Sequence, residues 1–478
     1  MLYSRGMKYS KLIFTFCFLV VSASVHAAET YSVQELLEGY LANDLSIKQL
    51  TASAQKQQLN ADLTRLDKGI DVSLSTGTVT IKTVNGGTSV SFKPSAELTV
   101  PQASNLTVSA GSSFSFDDTS SSVSNTSIAF QVDIISSSSA ERTVSLLKAE
   151  RQEKEAERKL ANGFLSAEKQ FYSELKALYN AASSYVSAQK SLYEDKISFD
   201  QIVVQGYAES SSKYRTAYMK YITSRHSAET AERELLRKVV VFASKCGIEY
   251  TETDAMQFLP SLIPEVEPVD VLSFDKEKYT ELESALWTQY INQLSRDGDS
   301  SVTLTAGAGF TFNNAQTRSD SIDASARFAW DKILSVNGGV TIPVGTENAG
   351  PVVSLSLTVN PFGIKKASIE NQITQLNVQQ ELYDIESAER NYETAVVSSQ
   401  TQLSDILWSM QTNEESYQLY KSLAQDNEKW FSQGIISESE LKSALTNCET
   451  YRLKCLISQI ELIIYNNETQ LMFCRDGE

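Results

Sequence analysis

Apolar residues recur along this chain at two different periods, and each period is used twice. In the first half Leu106, Val108, Ala110, Phe114 and Phe116 fall on one parity, followed after a Ser- and Asp-rich loop by Ile128, Phe130, Val132 and Ile134. In the second half Val302, Leu304, Ala306, Ala308, Phe310 and Phe312 alternate. They are followed by Ile322, Ala324, Ala326, Phe328 and Trp330, by Leu334, Val336, Val340 and Ile342, and by Val353, Leu355, Leu357 and Val359. The intervening positions are mostly Ser, Thr, Asn and Gly, so these blocks, 70–135 and 301–360, are expected to be strands with one apolar and one polar face. Such a sheet suits a water-filled transmembrane barrel, with apolar residues out and polar residues in. An antiparallel sheet with one wet face has the same pattern.

The other period is helical. Ile369, Ile373, Leu376, Leu382, Ile385, Tyr392, Val396, Leu403, Ile406, Met410, Tyr417, Tyr420, Leu423 and Trp430 recur mostly at steps of three and four, which keeps one seam on one helix face. Ser399, Asn413 and Asn427 interrupt the seam. A helix lining a wet channel tolerates that, and so does an imperfect coiled coil. None of the eight prolines lies in 139–246 or 363–474. Proline breaks helices, so these stretches are expected to be long helical hairpins. Each holds a glycine in a polar turn context, Gly206 in QGYAESSS and Gly434 in QGIISESE. Each reads as a helix of roughly 65–70 residues, a turn, and a returning helix of about 36, the long arm reaching roughly 100 Å.

The two hairpins copy one another. Gly434 follows Gly206 by 228 residues, and Cys474 follows Cys246 by the same interval. Leu334 and Val336 follow Leu106 and Val108 by 228, while SVTLTAG at Ser301 follows DVSLSTG at Asp71 by 230. One unit of more than two hundred residues is used twice, which implies pseudo-symmetric packing of two halves.

The N-terminus has Arg5, Lys8 and Lys11, then the apolar run Leu12–Val21, then Val25-His26-Ala27. That is the order of a secretory signal peptide over 1–27, and it is too short for a spanning helix. The chain carries a formal charge of −17. Without the three basic residues of that segment it lies near −20, which argues against nucleic acid as a partner. The chemistry is sparse. Only His226 lies beyond the signal segment, on a Ser- and Glu-rich helix, so a triad would have to use it and a His-rich metal site is excluded. No phosphate-binding glycine loop follows a strand. No catalytic residue, cofactor or metal is expected. Cys448 and Cys455 sit about 10 Å apart along one helix, too far to bridge each other. Cys246 and Cys474 read as small packed thiols.

The order helix, strands, very long helix, turn, shorter helix, performed twice, resembles the TolC-like outer-membrane efflux proteins. YSVQELLEGYLANDLSIKQL is similar to that family's first helix, NLTVSAGSSFSF to its first barrel strand, and FSQGIISESELKSAL to its periplasmic tip. The resemblance covers nearly the whole chain after the signal segment. It implies a homotrimer whose strands share one barrel in outer-membrane lipid and whose helices form a tunnel across the periplasm. It also implies a periplasmic adaptor (membrane fusion) protein docking at the tips around Gly206 and Gly434, with an inner-membrane pump behind it. The long helix descends from the membrane, the returning helix climbs about half way, and a short helix, near 33–67 in one half and 275–296 in the other, completes the climb.

Two features depart from the family. Its members contribute four strands per chain, whereas eight candidates are counted here, four per half. At the tip, the family's gating tyrosine and arginine positions hold Phe431 and Ile436. Its two acidic positions hold Glu440 and Ser443, and the first-repeat counterpart is Ser212. Glu440 is therefore the candidate for a negative ring at the pore aperture, with Glu438 as a second candidate and Ser443 at the neighbouring position.

The expectation is an α+β membrane protein: a two-repeat protomer with very long α-helical coiled-coil hairpins and antiparallel strands contributing to a shared transmembrane β-barrel. Its expected parts are a signal peptide 1–27, a first repeat 28–249, a non-helical linker 250–274 and a second repeat 275–478. The expected function is a trimeric channel-tunnel, the passive exit duct of a tripartite efflux or type I secretion system. The alternative is a periplasmic coiled-coil scaffold or adaptor protein with a soluble β domain.

Overall fold

A computed structural model describes residues 31–475, apart from 85–86, 118–119, 252–253, 314–318, 332 and 346–349. The signal segment expected at 1–27 lies outside the described residues. The helices are α1 (Val33–Asn43), α2 (Leu45–Asp67), α3 (Ser138–Val204), α4 (Ser212–Lys245), α5 (Thr280–Gly298), α6 (Gly363–Ser432) and α7 (Glu438–Leu471). The strands are β1 (Asp71–Ser75), β2 (Thr80–Val84), β3 (Gly87–Phe92), β4 (Ser95–Val100), β5 (Leu106–Phe116), β6 (Ser121–Ile135), β7 (Val302–Phe312), β8 (Asp320–Trp330), β9 (Leu334–Val344) and β10 (Val352–Val359).

The long arms are single helices of 67 residues in α3 and 70 in α6, each followed by a turn and a returning helix of 34 residues. The short helices differ from expectation. The stretch 33–67 is two helices, because the Asp44 carboxylate accepts the Ser46 N–H at 2.7 Å and starts a new helix there. The second short helix begins only at Thr280. Asp270 and Asp275 cap two separate 3-10 turns before it, Val271–Ser273 and Lys276–Lys278.

All strands join one antiparallel sheet in the order β1-β4-β5-β6-β7-β8-β9-β10, with β2 paired to β3 and β3 to the far half of β5. β1 with β2, and β3 with β4, are the two arms of one kinked hairpin. The kink falls at Gly77 (φ +64°), where a Cβ would lie 2.1 Å from the Lys93 carbonyl oxygen, and at Pro94, which cannot donate to the ladder. Counted as arms, each repeat therefore supplies four strands, the number read from the sequence.

Contacts divide the chain into two compact units that do not coincide with the two repeats. The first holds residues to Asn43, Glu174–Glu265 and Thr412–Ile460. Its core includes Leu36, Leu175, Tyr179, Leu235, Phe242, Phe258 and Leu453, all nearly inaccessible. The segment after α4 is irregular but packed: Phe258, Leu259 and Ile263 are buried, and the Tyr179 hydroxyl donates to the Pro260 carbonyl at 2.6 Å. Gly39 lets α1 approach the Cys246 carbonyl, where a Cβ would lie 2.3 Å away. Burial pushes the Cys246 thiol up to about 12, as expected of a packed, unreactive group.

The second unit holds Asp44–Ser173, Val266–Gln411 and the chain from Glu461. Val271, Tyr279, Leu282, Ala388 and Phe473 form one of its cores. The repeat is visible here in side chains. Arg65 bonds Glu153 at 2.7 Å between α2 and α3, and Arg296 bonds Glu381 at 2.8 Å between α5 and α6. Both ion pairs occupy corresponding places in their repeats. Between the repeats, Glu283 of α5 accepts from Arg151 and, at 3.0 Å, from Arg158, both on α3. The Arg151 guanidinium also lies 5.3 Å from the Trp287 ring centroid.

Candidate functional site

The sheet surface is a candidate site because of what its two faces carry. Directly paired residues point to the same face, so pairing rows trace each face across the sheet. One row runs Val72, Leu98, Val108, Phe130, Ala308, Ala324, Val340, Val353, through all eight strands of the main path without a polar residue. The next row, on the other face, runs Ser73, Glu97, Ser109, Ala129, Gly309, Asp323, Thr341, Val352. On that face Asp323 accepts the Thr341 hydroxyl at 2.6 Å, and Asp133 accepts Asn105 at 3.1 Å and Thr305 at 3.2 Å.

The apolar face is uncovered. Leu74 is 80% exposed and Leu355 75%, and Ile128, Phe130, Ile322 and Ile342 are exposed as well. A sheet that packs on a helix layer buries such rows. This one does not, and exposed apolar area of this extent marks contact with lipid or protein. Strands β5, β7, β8 and β9 each have 11 residues, the length of a tilted transmembrane strand. Rings gather at the strand ends. Phe92 stacks on Phe114 and Phe116 at 5.2 and 5.9 Å, with Phe310 and Phe312 ending β7, while Phe328 and Trp330 mark the opposite end. An apolar band with aromatic rings at both borders is the pattern of a barrel wall. Among the described residues no helix is long and apolar enough to cross a membrane.

The helix turns form the second candidate site. Gly206 and Gly434 have φ of +75° and +73°, the left-handed conformation that ends a helix. At Gly434 the closure is a Schellman motif: Gly434 N–H reaches the Phe431 carbonyl at 2.9 Å, and Ile435 N–H the Trp430 carbonyl at 2.9 Å. Both glycines lie in the first unit, where α3 and α7 frame a cavity of about 400 Å³ lined by Lys190, Tyr193, Lys442 and Ser443. Lys442 sits 3.9 Å from the Tyr193 ring centroid, an aromatic–cation contact that no single-helix pattern announces.

Glu440 starts α7 with a reciprocal cap. Its carboxylate accepts the Ser437 N–H at 2.8 Å, and the Ser437 hydroxyl accepts the Glu440 N–H at 3.3 Å. These bonds, the backbone one foremost, hold its carboxyl below the usual value, so the charge persists at neutral pH. Glu438 faces Lys442 at 3.5 Å. Ser443 lines the cavity and is one turn from Glu440.

The seam interruptions have partners within the chain. Ser399 is buried against Tyr465, 2.9 Å between hydroxyls, and Thr469, at 3.4 Å. Asn427 is buried and donates to the Glu440 carbonyl at 3.4 Å. These two polar seam positions are thus internal layers of a hairpin rather than a wet lining. The half of the same seam nearest β10 is exposed instead: Ile369, Ile373, Leu376 and Leu382 are all about half accessible or more. His226 is exposed on α4, and the four described cysteines are free thiols.

Together these features define a class: an α+β protomer of two repeats, each carrying four antiparallel strands and a long helical hairpin closed by a left-handed glycine. Residues 36–266 match the TP096X N-terminal domain and residues 264–476 the TP096X C-terminal domain, so the chain carries both TP096X domains in tandem. No curated protein matches the sequence. Several solved outer-membrane proteins are similar over most of their length. The outer membrane protein VceC from Vibrio cholerae is 11% identical, with 92% of this chain and 96% of that one covered and a TM-score of 0.47. The CmeC outer membrane channel of Campylobacter jejuni is 11% identical, with coverage of 93% and 87% and a TM-score of 0.46. The MtrE outer membrane channel of Neisseria gonorrhoeae is 11% identical, with coverage of 95% and 92% and a TM-score of 0.46.

Proposed function

We propose that this chain is the protomer of a trimeric outer-membrane channel-tunnel, a passive exit duct for substrate delivered by an inner-membrane pump through a periplasmic adaptor in a tripartite efflux or type I secretion system. The carrying observation is the sheet, whose 11-residue strands present an uncovered apolar face and a Ser-, Thr- and Asp-bearing face. A soluble β domain of a scaffold or adaptor would bury that apolar face. The export signal read at 1–27 agrees with this destination, and so do two long hairpins ending in glycine turns. In this reading the tips around Gly206 and Gly434 meet the adaptor, and the helices extend from outer-membrane lipid into the periplasm. Around a threefold axis Glu440 gives three carboxylates at the entrance, with Glu438 and Ser443 beside it.

Protein extracted from outer membranes and placed in planar bilayers tests this. Discrete conductance is expected, with a preference for cations. Glu440→Gln keeps a side chain able to close the cap and removes the charge, so cation selectivity should fall several-fold with folding unchanged. Absence of conductance would favour the scaffold. Conductance with unaltered selectivity in Glu440→Gln would leave that residue as a helix cap only.

A further inference from the structure

The sheet has two free edges. β1 pairs only with β4, and β10 only with β9, so the outer flank of each has no ladder partner among the described residues. Both edge strands are accessible along their whole length and end in the continuous apolar row. Unpaired backbone N–H and C=O groups cannot face hydrocarbon, where each costs several kcal/mol. An open sheet with a lipid-type face must therefore close. Pairing β1 with β10 of the same chain would give a small eight-stranded ring, but the two strands are unpaired here.

The internal repeat supplies the other closure. β6 ends the strand block of the first repeat and pairs antiparallel with β7, which begins that of the second. β10 ends the second block, and β1 begins the first. The junction already present inside the chain is thus the template for a junction between copies, and its register transfers residue by residue. Gln131 of β6 lies opposite Gly307 of β7. Gln131 pairs back to Thr107, whose repeat counterpart Ser335 pairs to Thr358, so Thr358 stands where Gln131 does. Gly307 leads through Ser325 to Gly339, whose counterpart Gly111 leads through Ser95 to Ser75. Ser75 stands where Gly307 does.

We infer that all eight strands of each chain belong to the barrel wall, and that β10 of one copy pairs antiparallel with β1 of the next, Thr358 opposite Ser75 on the polar face. The inference rests on the channel reading above. It makes a head-to-tail interface, which closes into a ring. With eight strands per chain, twice the four that the family resemblance implies, three copies give a wall of twenty-four strands, within the range of known outer-membrane barrels. Barrel diameter grows roughly linearly with strand number, so the lumen is correspondingly wide. The kinked β1–β4 hairpin is wall, not an appendage, because the Val72, Leu98 and Val108 positions continue the apolar row without a step.

Disulfide trapping tests the register. Thr358→Cys and Ser75→Cys are introduced together into the full-length chain, which is extracted from outer membranes and oxidised before denaturing electrophoresis. Covalent dimers and trimers are expected, with neither in the single variants nor in the parent with its native cysteines. Thr358→Cys with Leu74→Cys should not cross-link, since Leu74 lies on the other face. Three results would overturn the inference: a cross-link that stays within one chain, capture of Ser109→Cys on β5 in place of Ser75→Cys, or no cross-link in protein that conducts. Bilayer conductance is measured on the same samples. Cross-linked but non-conducting protein would count against the channel reading and leave the interface standing.

Discussion

Glu283 ties the two repeats together through a charge. The hydrogen bond from Arg151, and then that from Arg158, hold its carboxyl below the usual value against the opposing effect of burial. A carboxylate depressed in the fold contributes stability above its unfolded value, and that contribution disappears as pH falls through the folded value. Glu283→Gln should therefore cost about 2 kcal/mol near neutrality, the usual worth of a hydrogen bond to a charged group, and much less well below pH 4. Denaturant unfolding followed by tryptophan fluorescence at the two pH values measures this, with Trp287 beside the pair as reporter. An equal loss at both would mean that packing, not charge, explains the effect. No spacing rule announced this cluster, since Arg151 and Glu283 are separated by 132 residues. The Ser399 layer was also hidden. A seam shows that a polar residue interrupts it, but not that Tyr465 waits opposite.

At the scale of elements the sequence was most legible where one constraint dominates. Proline-free runs, each with one glycine in a polar turn context, announced both helix pairs, because a long helix excludes proline and a left-handed C-cap favours glycine. The strands were legible from their alternation. What was missed is local capping. Asp44 and Asp275 cut the short helices through side-chain bonds that leave the apolar period intact. The kink at Gly77 and Pro94 was likewise hidden, because the alternation continues on both sides of it. The tip glycines carry a prediction of their own. A Cβ at Gly206 or Gly434 would meet nothing within 4 Å, so the cost of substitution is conformational, about 1–2 kcal/mol for each left-handed residue. Gly206→Val combined with Gly434→Val should reshape both turns and abolish export in cells, while assembly and membrane insertion persist. Export that survives the double variant would move the adaptor contact away from the tips.

For the whole molecule, repetition is the organising fact, and the single chain is incomplete. Among the described residues the sheet ends in two unpaired edges, and its apolar face is bare. Ile369, Ile373, Leu376 and Leu382 leave part of the α6 seam exposed. A globular monomer buries such surface, and a monomer in lipid cannot leave strand edges open. In the proposed channel each deficiency is met by further copies of the same chain arranged around an axis, with lipid outside the barrel and solvent within. Mass measurement of the outer-membrane-extracted protein in mild detergent tests this most directly. The account predicts a stable particle of three chains, and a stable single chain under those conditions would contradict it.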